Sequence, residues 1–289
     1  MSNPLFTGAC TALVTPFANG QINYDLLGRL ITRQIQADIP ALVLAGTTGE
    51  APTLSDNEKI ELFEFGVKYA EGHCKIIAGT GSNNTSHAVD LSIAAQEAGA
   101  DALLIVSPYY NKANADGLLK HYASIADAVS IPIVLYNVPS RTCVDIPVQV
   151  YKELSYITNI VGVKEASTDI TKTTKIINTC SPDFTVWSGN DDMTTAMMAL
   201  GAKGVISVTS NIFPEKVNIM CKNVLSGNIQ NAVNIQRDLQ TINDALFMDV
   251  NPIPVKAALK ILGYDCGECR LPLGSLTTEK QKRLSVCLA

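Results

Sequence analysis

Lys164 closes a short apolar run, Ile160-Val161-Gly162-Val163, and is followed by Glu165-Ala166-Ser167. Alternate residues of an extended chain share a face, so Lys164 is expected beside Gly162 and Ala166, with Val161 and Val163 opposite. Two small neighbours leave room for a long side chain and for substrate. Apolar walls disfavour an ammonium ion and favour the neutral amine, the form that condenses with a ketone to give a Schiff base. The competing reading is a lysine that pairs with Glu165 or snorkels out of the strand end. Tyr136 ends another apolar run on the same face as Val134. A phenol, with an ordinary pKa near ~10, needs hydrogen-bond partners to move protons at neutral pH, and Thr47 and Tyr110 are the candidates. Tyr136 reads equally as a half-buried packing aromatic. Thr48 lies in Gly46-Thr47-Thr48-Gly49-Glu50, where a glycine-flanked turn offers backbone amides to a small carboxylate, unless it is simply a turn. Arg141 presents a planar fork to a second carboxylate, although arginines are common in surface loops. An amine, a phenol and places for carboxylates amount to imine chemistry.

Other chemistries lack their residues. There is no acidic calcium loop and no His/carboxylate metal set, so neither a metal nor another cofactor is expected. His73, His87 and His121 read as surface residues rather than bases or ligands. Cys266 and Cys269 form a C-x-x-C with no second pair to complete a zinc site, and the eight cysteines are scattered as reduced thiols would be. Gly79-Thr80-Gly81 lacks the remainder of either nucleotide fingerprint, which disfavours NAD and ATP.

The chemically suggestive residues fall at the carboxyl ends of short β-branched runs. Strand candidates are Gly8 to Phe17, Ala41 to Ala45, Lys75 to Gly79, Ala102 to Ser107, Ile133 to Asn137, Ile160 to Lys164, Phe184 to Ser188 and Gly204 to Val208. Amphipathic stretches such as Tyr24 to Ala37, Asp56 to Ala70, Ser86 to Ala98 and Ala115 to Val129 separate them. Ser55 with Glu58 is a capping-box signature, and Gly72 and Gly99 are placed as helix stops. Eight strand-helix units predict an α/β chain folded as a (β/α)8 TIM barrel, whose function sits at the carboxyl ends of the strands. A doubly wound sheet is the alternative. The expected division is a catalytic barrel over 1–226 and a C-terminal helical appendage over 227–289, broken by Asn251-Pro252-Ile253-Pro254.

The 289 residues are 47% hydrophobic and only 17% charged, with 27 acidic against 22 basic side chains. The charged fraction falls below the ~25% usual for soluble domains, which points to contacts between subunits. No apolar run approaches the ~18 residues of a membrane helix, and Met1-Ser2-Asn3-Pro4 does not begin a signal peptide. A cytoplasmic protein without membrane or nucleic-acid partners is expected; mild acidity with no Lys/Arg cluster gives phosphates nothing to pair with.

These residues resemble the pyruvate-dependent class I aldolases and lyases, and within them the 4-hydroxy-tetrahydrodipicolinate synthase (dihydrodipicolinate synthase) family. The likeness runs from Gly8-Ala9-Cys10-Thr11-Ala12-Leu13-Val14-Thr15-Pro16-Phe17, through the strand-end motifs, to Asn251-Pro252-Ile253-Pro254-Val255-Lys256 and Arg270-Leu271-Pro272-Leu273. Gly-Thr-Thr-Gly-Glu with Tyr-Asn-Val-Pro-Ser-Arg-Thr is fairly specific; sialic-acid lyases resemble Gly-Ser-Thr-Gly-Glu and lack the arginine. The resemblance implies condensation of pyruvate with L-aspartate 4-semialdehyde toward diaminopimelate and lysine. It assigns the imine to Lys164, a proton relay to Tyr136, Thr47 and Tyr110 (the last from a neighbouring subunit), and the pyruvate carboxylate to Thr48. Arg141 would bind the semialdehyde carboxylate and order the relay, and Gly189 and Ile206 would offer backbone carbonyls. A homotetramer built as a dimer of dimers is implied. Alternatives are a 2-keto-3-deoxy sugar acid aldolase, N-acetylneuraminate lyase, or a non-catalytic carboxylate-binding barrel.

One departure stands out. Many members of the family are inhibited by lysine at a subunit interface, through an acidic residue and histidines whose positions here read His87, Asp56 and Lys59, although Asn83 and Tyr109 remain. Weak or absent lysine inhibition is expected.

Overall fold

Runs of Ala, Val, Ile and Leu bounded by Gly, Asn and Asp form the strands, and the longer amphipathic stretches between them form helices. The computed structural model describes residues 3–288; Met1, Ser2 and Ala289, the outermost residues of the two expected segments, lie outside that range. The strands are β1 (Gly8–Ala12), β2 (Phe17–Ala18), β3 (Gln21–Ile22), β4 (Ala41–Leu44), β5 (Lys75–Gly79), β6 (Ala102–Val106), β7 (Ile133–Asn137), β8 (Ile160–Glu165), β9 (Thr185–Ser188) and β10 (Gly204–Ser207). The helices are α1 (Tyr24–Gln36), α2 (Asp56–Ala70), α3 (Thr85–Glu97), α4 (Ala115–Ala128), α5 (Pro139–Thr142), α6 (Val148–Leu154), α7 (Ile170–Thr179), α8 (Thr194–Ala199), α9 (Pro214–Leu225), α10 (Ile229–Leu246), α11 (Ile253–Ile261) and α12 (Thr278–Leu288). Eight parallel strands close into one barrel in the order β1-β10-β9-β8-β7-β6-β5-β4, with β1 joined to both β10 and β4. The (β/α)8 reading holds, and the doubly wound sheet is excluded.

Local chemistry explains the helix starts. Asn23, Asn84, Asn114 and Asp169 each accept a backbone amide of the first turn, and Ser55 with Glu58 forms the expected capping box. Beyond α2, Glu71 and Gly72 take left-handed conformations, φ 47° and 76°, which end the helix.

Three expectations are corrected. The first strand stops at Ala12 instead of Phe17: Leu13 and Val14 remain buried outside the ladder, where Asn211 Oδ1 accepts from Val14 N at 3.2 Å, and Phe17 enters a separate antiparallel hairpin with Ile22. Leu13 N makes one last bond to the Val43 carbonyl of β4 at 3.0 Å, and beyond it burial rather than strand pairing explains the apolar run. Val161 faces inward rather than sharing a face with Val163. Ile133 pairs with Ile160 but Val134 with Gly162, so β8 carries one extra residue; Val161 packs on the inner cluster and Val163 on the outer one. His121 is buried in α4, with Nδ1 3.0 Å from Thr85 Oγ1, and burial pushes its pKa down to about 4. It is a neutral core histidine at physiological pH.

The C-terminal helices are tied to the barrel mouth. Gln236 of α10 donates to the Asp191 carbonyl at 3.0 Å and accepts from Thr195 N at 3.2 Å, and Thr209 Oγ1 donates to Asn243 Oδ1 at 2.7 Å. Among the described residues no helix is long and apolar enough to cross a membrane.

Candidate active site

Tyr136, Lys164 and Trp187 lie in register on the adjacent strands β7, β8 and β9. Lys164 is 5% exposed, and its Nζ stands 4.3 Å from the centroid of the Tyr136 ring. Facing outward, Glu165 accepts from Asn137 Nδ2 at 2.9 Å, Tyr151 Oη at 3.2 Å and Ser167 N at 2.7 Å, with Lys172 Nζ at 3.8 Å. Lys164 therefore neither pairs with Glu165 nor reaches solvent. The face of the Tyr136 phenol ring lies beside its amine.

The space left by Gly162 is used differently from the expectation. A Cβ there would lie 2.1 Å from the Thr185 carbonyl oxygen and 2.7 Å from Trp187 Cζ3, so the glycine admits β9 and the indole rather than substrate. Trp187 is fully buried, stacks on Phe6 at 4.9 Å and donates Nε1 to the Phe6 carbonyl at 3.2 Å. This aromatic pair packs into the barrel interior with Tyr136 and Ala166.

A cavity of about 440 Å3, the size of small-molecule sites, is lined by Thr47, Tyr136 and Arg141, and extends to Tyr109, Lys59, Asp56 and His87. Thr48, behind Thr47, is buried, and its Oγ1 accepts from Asn251 Nδ2 at 3.0 Å. Arg141, on the one-turn helix α5, donates Nη2 to the Asn251 carbonyl at 3.3 Å. Gly189 donates its amide to the Glu165 carbonyl at 2.7 Å, and Ile206 is fully buried opposite Cys10 of β1. Lys164, Thr48, Gly189, Ile206 and Tyr110 are not part of that cavity's lining; the first four are buried or part-buried, whereas Tyr110 is 89% exposed with φ 72°. At the rim, Asp56 takes His87 Nε2 at 2.9 Å and Lys59 Nζ at 3.4 Å.

Two site-linked residues have no role in the sequence reading. Asp191 is a buried carboxyl that accepts from the Ser207 hydroxyl, Val208 N at 2.8 Å and Thr209 N at 3.2 Å. Burial pushes its pKa up, against these hydrogen bonds and the Lys164 charge. Its signal in the sequence is an acid two residues after a strand-end glycine, Gly189-Asn190-Asp191. The other is Asn251, named in the sequence as part of a helix break and of the family-like motif but given no role.

Remote residues fix the loop that carries Thr47 and Thr48. Glu50 adopts φ 58°, and its buried carboxylate accepts from Lys256 Nζ at 2.7 Å and Arg270 N at 2.8 Å. The Arg270 guanidinium also forks onto Glu58 at 2.9 and 2.5 Å, holding that carboxyl down to about 2. Lys256 and Glu50 are 3% and 0% exposed. Lys256→Met should leave the Glu50 charge unmatched in the interior and cost about 3–5 kcal/mol of stability. Denaturant melts check this, and adding Glu50→Gln should restore much of the loss. An unchanged midpoint in the single variant would show that the pair is not stabilising.

The family-level sequence profile described as the dihydrodipicolinate synthetase family matches residues 5–289. A 4-hydroxy-tetrahydrodipicolinate synthase of Acetivibrio thermocellus is 48% identical over 277 residues, covering 96% of this chain and 94% of that protein. Among solved structures, dihydrodipicolinate synthase from Aquifex aeolicus superposes with a TM-score of 0.96 at 43% identity, over 98% of this chain and 97% of that one. The Cyanidioschyzon merolae enzyme, solved with lysine bound, gives 0.96 at 36% identity over 99% and 98%. With the profile spanning almost every residue and close relatives matching end to end, the chain belongs to the dihydrodipicolinate synthetase family.

Proposed function

We propose that the chain is a class I, Schiff-base lyase that condenses pyruvate with L-aspartate 4-semialdehyde to 4-hydroxy-tetrahydrodipicolinate, the committed step toward diaminopimelate and lysine. The observation that carries the site assignment is the Lys164 amine set against the Tyr136 ring, where Tyr136 shares a cavity wall with Thr47 and Arg141.

Lys164 attacks the pyruvate ketone, water leaves, and a protonated imine forms. Tyr136 passes the proton that the departing oxygen needs, with Thr47 and Tyr110 as relay partners. The imine is an electron sink: a methyl proton is lost, and the resulting enamine carbon bonds to the aldehyde carbon of the second substrate. The substrate's own amine then attacks the former ketone carbon, closes the ring and expels Lys164. Thr48 holds the pyruvate carboxylate and Arg141 that of the semialdehyde. Gly189 and Ile206 supply backbone carbonyls at the mouth.

Borohydride reduction in the presence of pyruvate, followed by peptide mass analysis, should place the adduct on Lys164. An adduct elsewhere, or none, removes the Schiff-base assignment. Arg141 in the cavity favours a second carboxylate over the polyol of a sugar acid, so 2-keto-3-deoxy sugar acids and sialic acid should be poor partners in the same assay.

The exposure of Tyr110 and the low surface charge support a cytoplasmic homotetramer in which Tyr110 serves a neighbouring cavity. At the rim, the carboxylate of Asp56 is already engaged by two basic side chains. Lysine should therefore inhibit weakly or not at all in initial-rate assays, and inhibition at sub-millimolar lysine would overturn this.

A further inference from the structure

We propose that Asn251 is a positioning residue for pyruvate: its side-chain amide donates to Thr48 Oγ1 and so turns the Thr48 hydroxyl hydrogen toward the substrate carboxylate. The inference rests on the assignment of Thr48 to that carboxylate. A threonine hydroxyl has one hydrogen to give and lone pairs that accept. A carboxylate only accepts, so Thr48 binds it by donating. Whichever group faces the other side of the Thr48 oxygen must therefore be a donor, and Asn251 Nδ2 fills that place at 3.0 Å.

Asn251 is 6% exposed, and its Oδ1 is buried with no hydrogen-bond partner among the described residues. An unpaired buried oxygen is costly, and an apolar side chain of equal volume would avoid the cost. The polar end that is used is the one aimed at Thr48. Rotating the amide by half a turn would let Thr48 donate to Oδ1 and would point its hydrogen away from the cavity, so the orientation of this amide sets the polarity of Thr48. The main-chain carbonyl of the same residue receives Arg141 Nη2 at 3.3 Å. One residue thus touches both groups assigned to substrate carboxylates, through its side chain for one and its backbone for the other.

That division gives the test. Steady-state KM values for both substrates are measured for Asn251→Ala and Asn251→Asp across pH 6 to 8. Alanine removes one donor and should raise the pyruvate KM about threefold to tenfold. Aspartate keeps the shape but reverses the polarity and adds a negative charge; near pH 8 the pyruvate KM should rise on the order of 30-fold or more. This penalty should shrink toward pH 6, because burial at this position raises the introduced carboxyl's pKa and its protonated form again donates to Thr48. In Asn251→Ala the semialdehyde KM should stay within about twofold, since the Arg141 contact is to backbone. A role in packing alone predicts the reverse order, with aspartate milder than alanine and no pH dependence, and that result overturns the proposal.

Thr48→Val separates the two layers. If it leaves the pyruvate KM unchanged, the assignment of Thr48 fails; if it raises KM while Asn251→Asp does not, only the role of Asn251 falls. Should Asn251→Asp not fold, Asn251→Ser, which retains a donor, should bind pyruvate better than Asn251→Ala, and the opposite order overturns the inference.

Discussion

Lys164→Ala should lower kcat by at least about 10^4-fold, since removal of a nucleophile from a covalent mechanism costs up to ~10^6-fold in known cases. The reason is structural as well as chemical. Among the described residues no second amine lies against the Tyr136 ring, and the one neighbouring carboxylate in sequence, Glu165, points out of the barrel toward Asn137, Tyr151 and Ser167. Lys164→Arg should be equally inactive, because a guanidinium keeps its proton and does not condense with ketones. The fold should survive either change: among the described residues Lys164 makes no direct ion pair, and the buried Asp191 carboxyl that its charge reaches keeps its bonds from Ser207, Val208 and Thr209. Both variants should therefore melt near the parent temperature while failing to trap pyruvate with borohydride. Turnover above about 1% of the parent in Lys164→Ala would show that the imine forms elsewhere or not at all.

Tyr136→Phe should retain imine formation and lose about 10^2- to 10^4-fold in turnover, the range for removing a general acid-base group. The substitution keeps the ring face beside Lys164 Nζ, which stands 4.3 Å from its centroid, and deletes only the hydroxyl. Borohydride trapping with pyruvate should accordingly persist, although more slowly, whereas product formation should collapse. Comparable turnover in the variant would remove Tyr136 from the proton relay and leave it as a packing residue, the reading that the sequence alone kept open.

The sequence carried the barrel because each unit repeats the same two periodicities, and it carried Lys164 because a cation at the end of an apolar run conflicts with local burial unless it has work there. Parity along β8 was less legible. The expected alternation placed Gly162, Lys164 and Ala166 together correctly, but the bulge at Val161 is set by pairing with Ile133 and Val134, which one strand's composition does not encode. Gly162 was read as space for substrate when it is space for Trp187, a residue 25 positions later. The roles of Glu50 and Asn251 were hidden for the same reason. Their partners lie in distant segments, and no period or motif length connects them.

The Glu50–Lys256 pair spans 206 residues of chain. At ordinary ribosomal rates of ~5–20 residues per second, roughly 10–40 s separate synthesis of the two partners. Through that interval the loop bearing Thr47 and Thr48 has an unmatched acid behind it, even when every strand of the barrel has already emerged. Catalytic competence is thus a late event in the life of the nascent chain: a segment made late steadies the loop made early.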